Sequence, residues 1–373
     1  MKKIIVCLLL AVCLFGCNKE DVHLDDEKVF SYEGQIAPYL HRMTFDDYVV
    51  EDDFDNNVAY GACSVVRNGN YIGRNYDYTY NDLPEFVTYV KAKQGRYASL
   101  SIACDFSIHE KDLIDGKISD DTLSKIPNFT LDGINEKGVY CSINVVALET
   151  DATGGTNPNG EPLYVWCVPR FVLDNAGSAD EAIELLKNRN IIGATSSDVI
   201  YYHFFVADKE KSYIVEIIDN SLSVKQYEGN EQILTNYYRN IDYLTKHASG
   251  IERYQILKDN YEEGNSIKGM QKLLYRVKFS DVYNKEQNPY RLSDSGFSQE
   301  EITTGFSNEK LNDFYSKASE RYNIIISNDL RDLPDSDSIW ITISNSTYDL
   351  ENKTLNLYVQ ENYDHEFVFG LND

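Results

Sequence analysis

Apolar positions along this chain fall into strand-length runs more often than into helical stripes. Alternating or continuous apolar runs predict strands at 97–104, 138–148, 199–206, 213–218 and 339–344, with a closing pair at 354–360 and 366–370. A 3.6-residue period predicts helices at 163–175, 179–188, 251–261 and 266–277, the first kinked because Pro169 lies inside it. Ser178 with Glu181, and Ser249 with Glu252, read as capping boxes at two of the helix starts. Strands and helices come in blocks and not in strict alternation. That order argues for antiparallel sheets with helices on their outer faces, an α+β arrangement. There is no internal repeat and no low-complexity run.

One hairpin stands out, in the stretch YGACSVVRNGNYIGRNYDYTYN at residues 60–81. Asn68-Gly69 is a two-residue turn signal, because both central positions of a type I′ turn need positive φ. Closing the turn with Arg67 opposite Asn70 sets Val66 against Tyr71, Val65 against Ile72, Ser64 against Gly73 and Cys63 against Arg74. Opposed residues share a face with Cβ atoms about 5 Å apart, so a thiol and a guanidinium are expected to be neighbours. Gly73 would leave room for another group to approach the backbone opposite Ser64. Asp77, three residues past Arg74, has the wrong parity for that face. It reaches Cys63 only at a frayed strand end or through a bulge.

The termini and the charge narrow the picture further. Lys2 and Lys3 precede an apolar run from Ile4 to Phe15 that is too short to span a bilayer and reads as a signal peptide. It ends in Leu14-Phe15-Gly16-Cys17, which resembles a bacterial lipobox and implies that Cys17 carries the lipid. Asn18-Lys19-Glu20-Asp21 resembles, more weakly, a surface-export signal. The expected location is the bacterial cell envelope, with the lipid as membrane anchor and surface exposure open. Residues 18–62 hold twelve acidic residues against three basic ones and read as a solvated prosegment or tether, although the apolar patches at 36–40 and 48–50 could dock on a core. By length the chain suits one large domain or two small ones, and 63–373 is the stretch left for the catalytic domain that the resemblance below implies. A net charge of −25 argues against nucleic acid or an anionic membrane surface as the main partner.

Of the seven cysteines, Cys7 and Cys13 leave with the signal peptide and Cys17 is lipidated. Cys63, Cys104, Cys141 and Cys167 remain, with one disulfide open among the last three. No C-x-x-C or H-E-x-x-H spacing occurs, so neither a metal nor another cofactor is expected. The Gly-rich ATGGTNPNGEP at 152–162 lacks the lysine of a P-loop, and no G-x-S-x-G elbow is present. Cys63 remains as a candidate nucleophile without a histidine, or else as a plain buried cysteine. Cleavage between Ala62 and Cys63 would supply a base. The new α-amine has a reference pKa of roughly 7.7–8.0, near working pH, so it can accept the proton of its own thiol. Arg74 would favour the thiolate and Asp77 would hold the amine.

Cys63-Ser64-Val65-Val66 followed by Gly73-Arg74-Asn75-Tyr76-Asp77-Tyr78 resembles the N-terminal nucleophile core of the choloylglycine hydrolases. This linear amide C–N hydrolase family includes bile salt hydrolases, penicillin V acylases and acid-ceramidase-like amidases. Three further segments follow in the family's order. LDGINEKGVYCSINV at 131–145 resembles the segment whose asparagine, here Asn144, lends a backbone N–H to the oxyanion hole. ILTNYYRNID at 233–242 resembles the one whose asparagine, here Asn236, lends its side-chain amide; by position alone Asn236 is equally a turn former. SGIERYQIL at 249–257 resembles the segment with the active-site arginine, here Arg253, placed where the helix dipole disfavours a cation. The Cys63-to-Arg74 spacing is shorter than in many members, and the preceding prosegment is closer to the acid-ceramidase-like branch, which cuts itself at this bond.

The resemblance implies a four-layer αββα sandwich and hydrolysis of a small-molecule N-acyl amide, such as a conjugated bile salt or a fatty N-acyl amine. It needs no cofactor. An acyltransferase of the same fold and a non-catalytic envelope binding lipoprotein stay open as alternatives, as does a homo-oligomer. Tyr78, Tyr80, Tyr237 and Tyr238 are the candidate walls of an apolar acyl pocket.

Overall fold

The computed structural model describes residues 29–50, 62–79, 83–146, 155–193, 202–241, 249–278, 280–284, 337–359 and 362–371. The first strands are β1 (Phe30–Ala37), β2 (Leu40–Phe45), β3 (Ala62–Asn68), β4 (Tyr71–Thr79), β5 (Glu85–Val90) and β6 (Ser99–Ala103). Two short helices, α1 (Glu110–Ile114) and α2 (Asp120–Ser124), precede β7 (Thr130–Asn135), β8 (Tyr140–Val145) and β9 (Glu161–Tyr164). Next come α3 (Val168–Asn175), α4 (Ala179–Lys187), β10 (Arg189–Ile192), β11 (Tyr202–Ala207), β12 (Ser212–Ile218), β13 (Ser221–Tyr227) and β14 (Ile233–Leu234). The described chain closes with α5 (Ile251–Asp259), α6 (Ile267–Arg276), β15 (Ser280–Asn284), β16 (Asp337–Asp349), β17 (Thr354–Val359) and β18 (Phe367–Gly370).

Two large sheets form. Nine strands run in the order β1-β2-β5-β6-β7-β8-β11-β12-β13, antiparallel apart from the parallel β2–β5 pair. The other sheet orders β14-β3-β4-β16-β17-β18, with β15 also on β16. Val65, Ile72, Tyr348 and Leu355 from the smaller sheet bury against Leu100, Ile134, Tyr140 and Phe205 from the larger, so the sheets face each other across one apolar layer. The α3–α4 pair covers the outer face of the nine-stranded sheet, and α5–α6 covers that of the other. The order is helix, sheet, sheet, helix, as expected.

The segment upstream of Cys63 departs from expectation. Residues 30–45 belong to the fold and are not a solvated tether: β1 and β2 form a hairpin on the edge of the larger sheet. Leu40, Met43 and Phe45 are fully buried, and each such side chain contributes about 1.5–3 kcal/mol. His41 bonds Glu110 (2.8 Å) and Tyr32 (2.6 Å) inside the same layer. Beyond the hairpin, Tyr48 donates to Asp174 (2.5 Å) and Asp47 pairs with Arg96 (2.8 Å). The acidic residues at 33, 46 and 47 favoured the reading as a solvated tether, but each has a basic partner: Arg42, Lys91, and Lys93 with Arg96.

Two helix starts also differ. Residues 163–167 are strand and 3₁₀ turn, and α3 starts at Val168 with Pro169 in its first turn, where a missing N–H costs nothing. The Ser249–Glu252 capping box is absent. Instead Gly250, at φ +76°, caps α5, while the Ser178 cap on α4 forms as expected (3.1 Å). No disulfide joins Cys104, Cys141 and Cys167, and all three are buried.

Candidate active site

The hairpin that carries Cys63 pairs two residues out from the predicted register. Asn68 opposes Tyr71, so the two-residue loop is Gly69-Asn70, with the glycine at φ +59° in the first central position. Cys63 therefore faces Tyr76, and Arg74 faces Val65. A slip of two leaves every side chain on its face, because the strand period is two. Arg74 thus remains beside the thiol, with Nη2 3.4 Å from Cys63 Sγ. Gly73 opposes Val66 and not Ser64, and the room it leaves is filled by helix α6: a Cβ there would meet Met270 and Leu274 at 2.7 Å.

Arg74 is almost wholly buried and held on all sides. Its Nη1 donates to Asp132 Oδ2 (2.9 Å), its Nε to Asn144 Oδ1 (3.3 Å) and its Nη2 also to the Ile143 carbonyl (3.1 Å). Burial works against the charge of Arg74, but the acidic groups around it, Asp132 and the Cys63 thiol whenever it ionises, push its pKa above the ordinary value. Asp132, on β7, accepts in addition from Tyr348 and Ser346. It lay unremarked within the 131–145 stretch. A lone acid inside the apolar run Leu131–Ile134 is a signal that some buried cation awaits it.

The backbone of Cys63 is clamped from the other side. Its N–H donates to Asn236 Oδ1 (3.1 Å), and its carbonyl accepts from Arg253 Nη1 (2.8 Å). Arg253 Nη2 donates to the same Asn236 oxygen, and Nη1 also reaches Asp77 Oδ2 (3.4 Å). Gly250 makes this possible, since a Cβ there would sit 2.7 Å from Arg253 Nη2. Asn236 Nδ2 donates to the Val145 carbonyl (2.7 Å), tying the segment after β14 to the end of β8.

Asp77 lies opposite Ala62, at the very start of β3 and next to the Cys63 nitrogen in sequence. A bulge does occur, but in the neighbouring strand: β16 pairs Thr342 with Asp77 and Ser344 with Tyr76, leaving Ile343 over. Thr342 Oγ1 donates to Asp77 Oδ1 at 2.7 Å, a contact with no local sequence signal. The structure thus brings Cys63, Arg74, Asp77, Asn144, Asn236 and Arg253 together around one thiol.

Burial is the largest influence on that thiol and pushes its pKa up. Arg74 opposes the shift, the Asp77 charge adds to it, and an Asp77 backbone N–H and Arg253 oppose it again. In the intact chain the thiol is neutral and needs a base. Among the described residues no histidine is among the groups that act on the Cys63 thiol, and the two buried ones pair with carboxylates, His41 with Glu110 and His203 with Glu216.

A file of rings leads away from Cys63. Tyr76 meets Tyr78 (centroids 6.1 Å), Tyr78 meets Phe106 (5.6 Å), Phe106 meets Trp166 (5.7 Å) and Trp166 meets Tyr202 (4.8 Å). Tyr237 and Tyr238 are not part of it. Both are buried, and Tyr237 packs edge-on against Tyr254 of α5. Tyr80 and Cys17 lie outside the described residues.

Residues 66–364 match the acyl-coenzyme A:6-aminopenicillanic acid acyl-transferase family. The chain belongs to this family. The choloylglycine hydrolase resemblance read from the four segments agrees with it. Over 130 residues the chain is 35% identical to a bile salt hydrolase/transferase of Clostridium perfringens (strain 13 / Type A), a stretch covering 32% of this chain and 36% of that protein. The chain thus spans about a third of the length of the curated relative that it matches. Among solved structures, a mutant conjugated bile acid hydrolase from Clostridium perfringens aligns with TM-score 0.44 and 18% identity, over 83% of this chain and 92% of that one. Penicillin V acylase from Agrobacterium tumefaciens aligns with TM-score 0.41 and 16% identity, over 83% and 86%.

Proposed function

We propose that this family member is an amidohydrolase that cleaves linear N-acyl amides with Cys63 as an N-terminal nucleophile. The observation that carries the reading is the thiol held 3.4 Å from a buried arginine with three other acceptors while both backbone groups of the same cysteine are clamped. Once the Ala62–Cys63 bond is cut, the freed α-amine takes the thiol proton. Sulfur attacks the amide carbonyl, a C–S bond forms, and the oxyanion is held by Asn144 N–H and Asn236 Nδ2. The amine hands its proton to the leaving nitrogen as the C–N bond breaks, and water then cleaves the thioester to the free acid. The name of the family and that of its bile salt hydrolase/transferase relative also favour an amine in place of water at the last step.

The acyl side is expected to be bulky and apolar, received along the file from Tyr76 to Tyr202. Cleavage before residue 63 leaves the β1–β2 hairpin bound, because it is held by the β5 ladder and a buried apolar layer with no covalent tie. Lipid on Cys17 would then still anchor the mature enzyme to the envelope. Intact mass and N-terminal sequencing, with a panel of conjugated bile acids, N-lauroyl amino acids, N-acylethanolamines and penicillin V, test the reading. Two co-purifying fragments, the larger beginning at Cys63, and a preference for the bulky acyl groups are expected. An active preparation with an unbroken chain through residue 62 would overturn the nucleophile. A preference for acetyl or formyl amides would overturn the pocket.

Asn236→Ala should lower kcat by ~10²-fold or more with little change in KM, as the loss of an oxyanion donor does. A folded variant that raises only KM would reassign Asn236 to substrate binding.

A further inference from the structure

Glu85 opens β5 in the larger sheet, yet its side chain crosses the layer between the sheets. There it is 1% exposed and accepts from Ser344 Oγ of β16 at 2.7 Å. Ser344 is the residue just past the β16 bulge, and Thr342, just before it, holds Asp77. Without the extra residue, two positions two apart on β16 would share a face. The bulge turns Thr342 to the Asp77 face while Ser344 pairs with Tyr76, on the Arg74 face. Among the described residues, the groups coupled to Glu85 include members of the thiol site and its neighbours. These are Arg74 and Tyr76 from β4, Asp132 from β7 and Cys104 just after β6, while β2 offers apolar Leu40 opposite it.

Resting on the functional reading above, we infer that Glu85 is a positioning residue for the Cys63 site. As a neutral acid it pins the β16 bulge that sets Thr342 on Asp77, and on ionising it sets a second negative charge against the Arg74–Asp132 pair and weakens the thiolate. The environment supports the neutral form. Burial, more than the nearby Asp132 charge, pushes the Glu85 carboxyl up to about 7, against the pull of Ser344 and Arg74. A carboxyl raised above its ordinary value favours the fold fully below that value, 4.5, and loses the contribution as pH rises through about 7. The site therefore changes charge as pH passes about 7, while the fold loses this contribution between 4.5 and about 7.

The test uses the full chain and reads iodoacetamide alkylation of Cys63 by mass spectrometry, alongside turnover, from about pH 6 to about pH 9, and urea unfolding from about pH 4.5 upward. Glu85→Gln keeps an acceptor for Ser344 but cannot ionise. Its alkylation should stay within about threefold of wild type at about pH 6 and keep rising where the wild type flattens, opening a gap of about tenfold by pH 9. Its urea midpoint should lack the wild-type decline that runs from 4.5 up to about pH 7. Ser344→Ala keeps the carboxyl and frees the bulge, and should slow turnover by about tenfold in kcat with KM unchanged. Superimposable wild-type and Glu85→Gln profiles with a reactive Cys63, or an unchanged kcat in Ser344→Ala, would overturn the positioning role alone. An unreactive Cys63 in active wild type would overturn the nucleophile, and the role of Glu85 with it.

Discussion

Replacing Cys63 with alanine is expected to reduce turnover of every N-acyl substrate by ~10⁴-fold or more, with no loss of the fold. The side chain is small and buried, so removing its sulfur leaves the apolar packing around Tyr76 and Ile341 nearly intact. What disappears is the atom facing Arg74 Nη2 at 3.4 Å. Arg74 itself keeps Asp132, Asn144 and the Ile143 carbonyl, so no buried charge is stranded. The same variant should also stop cleavage before residue 63 if the thiol attacks the Ala62 carbonyl, leaving a single uncut chain by intact mass. Steady-state kinetics beside a circular dichroism spectrum check both parts. Undiminished turnover in the alanine variant would move the nucleophile elsewhere.

Asp132→Ala acts in the opposite way, on stability first. The Arg74–Asp132 pair joins the two sheets at 2.9 Å, with both side chains essentially without solvent contact. Removing one partner of such a pair costs about 3–5 kcal/mol, because the remaining charge has no water to turn to. Tyr348 loses its acceptor at the same time, and Ser346 keeps only the Arg74 carbonyl. A fall of this size in urea-unfolding free energy is expected, together with loss of activity as Arg74 leaves the thiol. Asp132→Asn keeps an acceptor and should cost distinctly less. Equal stability for the alanine variant and wild type would mean that Arg74 has other compensation.

Much of the site was legible because its chemistry lies on local patterns. The turn after Asn68 and the alternating strands around it put a thiol and a guanidinium on one face, and a two-residue error in register left them there. Other strands were missed for local reasons. β5 and β7 carry buried polar residues, Glu85 and Asp132, that interrupt an apolar reading. The β12–β13 hairpin did leave a signal that went unread: Asp219 and Asn220, both at positive φ, form the two-residue turn between Ile218 and Ser221.

From the sequence by itself follow the α+β class with antiparallel sheets, the hairpin, and which side chains share a face with Cys63, because strand period and turn preference are properties of neighbouring residues. The tertiary structure alone decided the rest. Asp132 comes to Arg74 across 58 positions, and Arg253 comes to the Cys63 carbonyl across 190. The β1–β2 hairpin joins the larger sheet through a parallel pairing with β5, which no tight turn can specify. A charge in the sequence says only that it needs an opposite charge or water. Which acid meets which base is settled by how the two sheets stack, and that stacking also decides whether an acidic stretch floats in solvent or closes the edge of the fold.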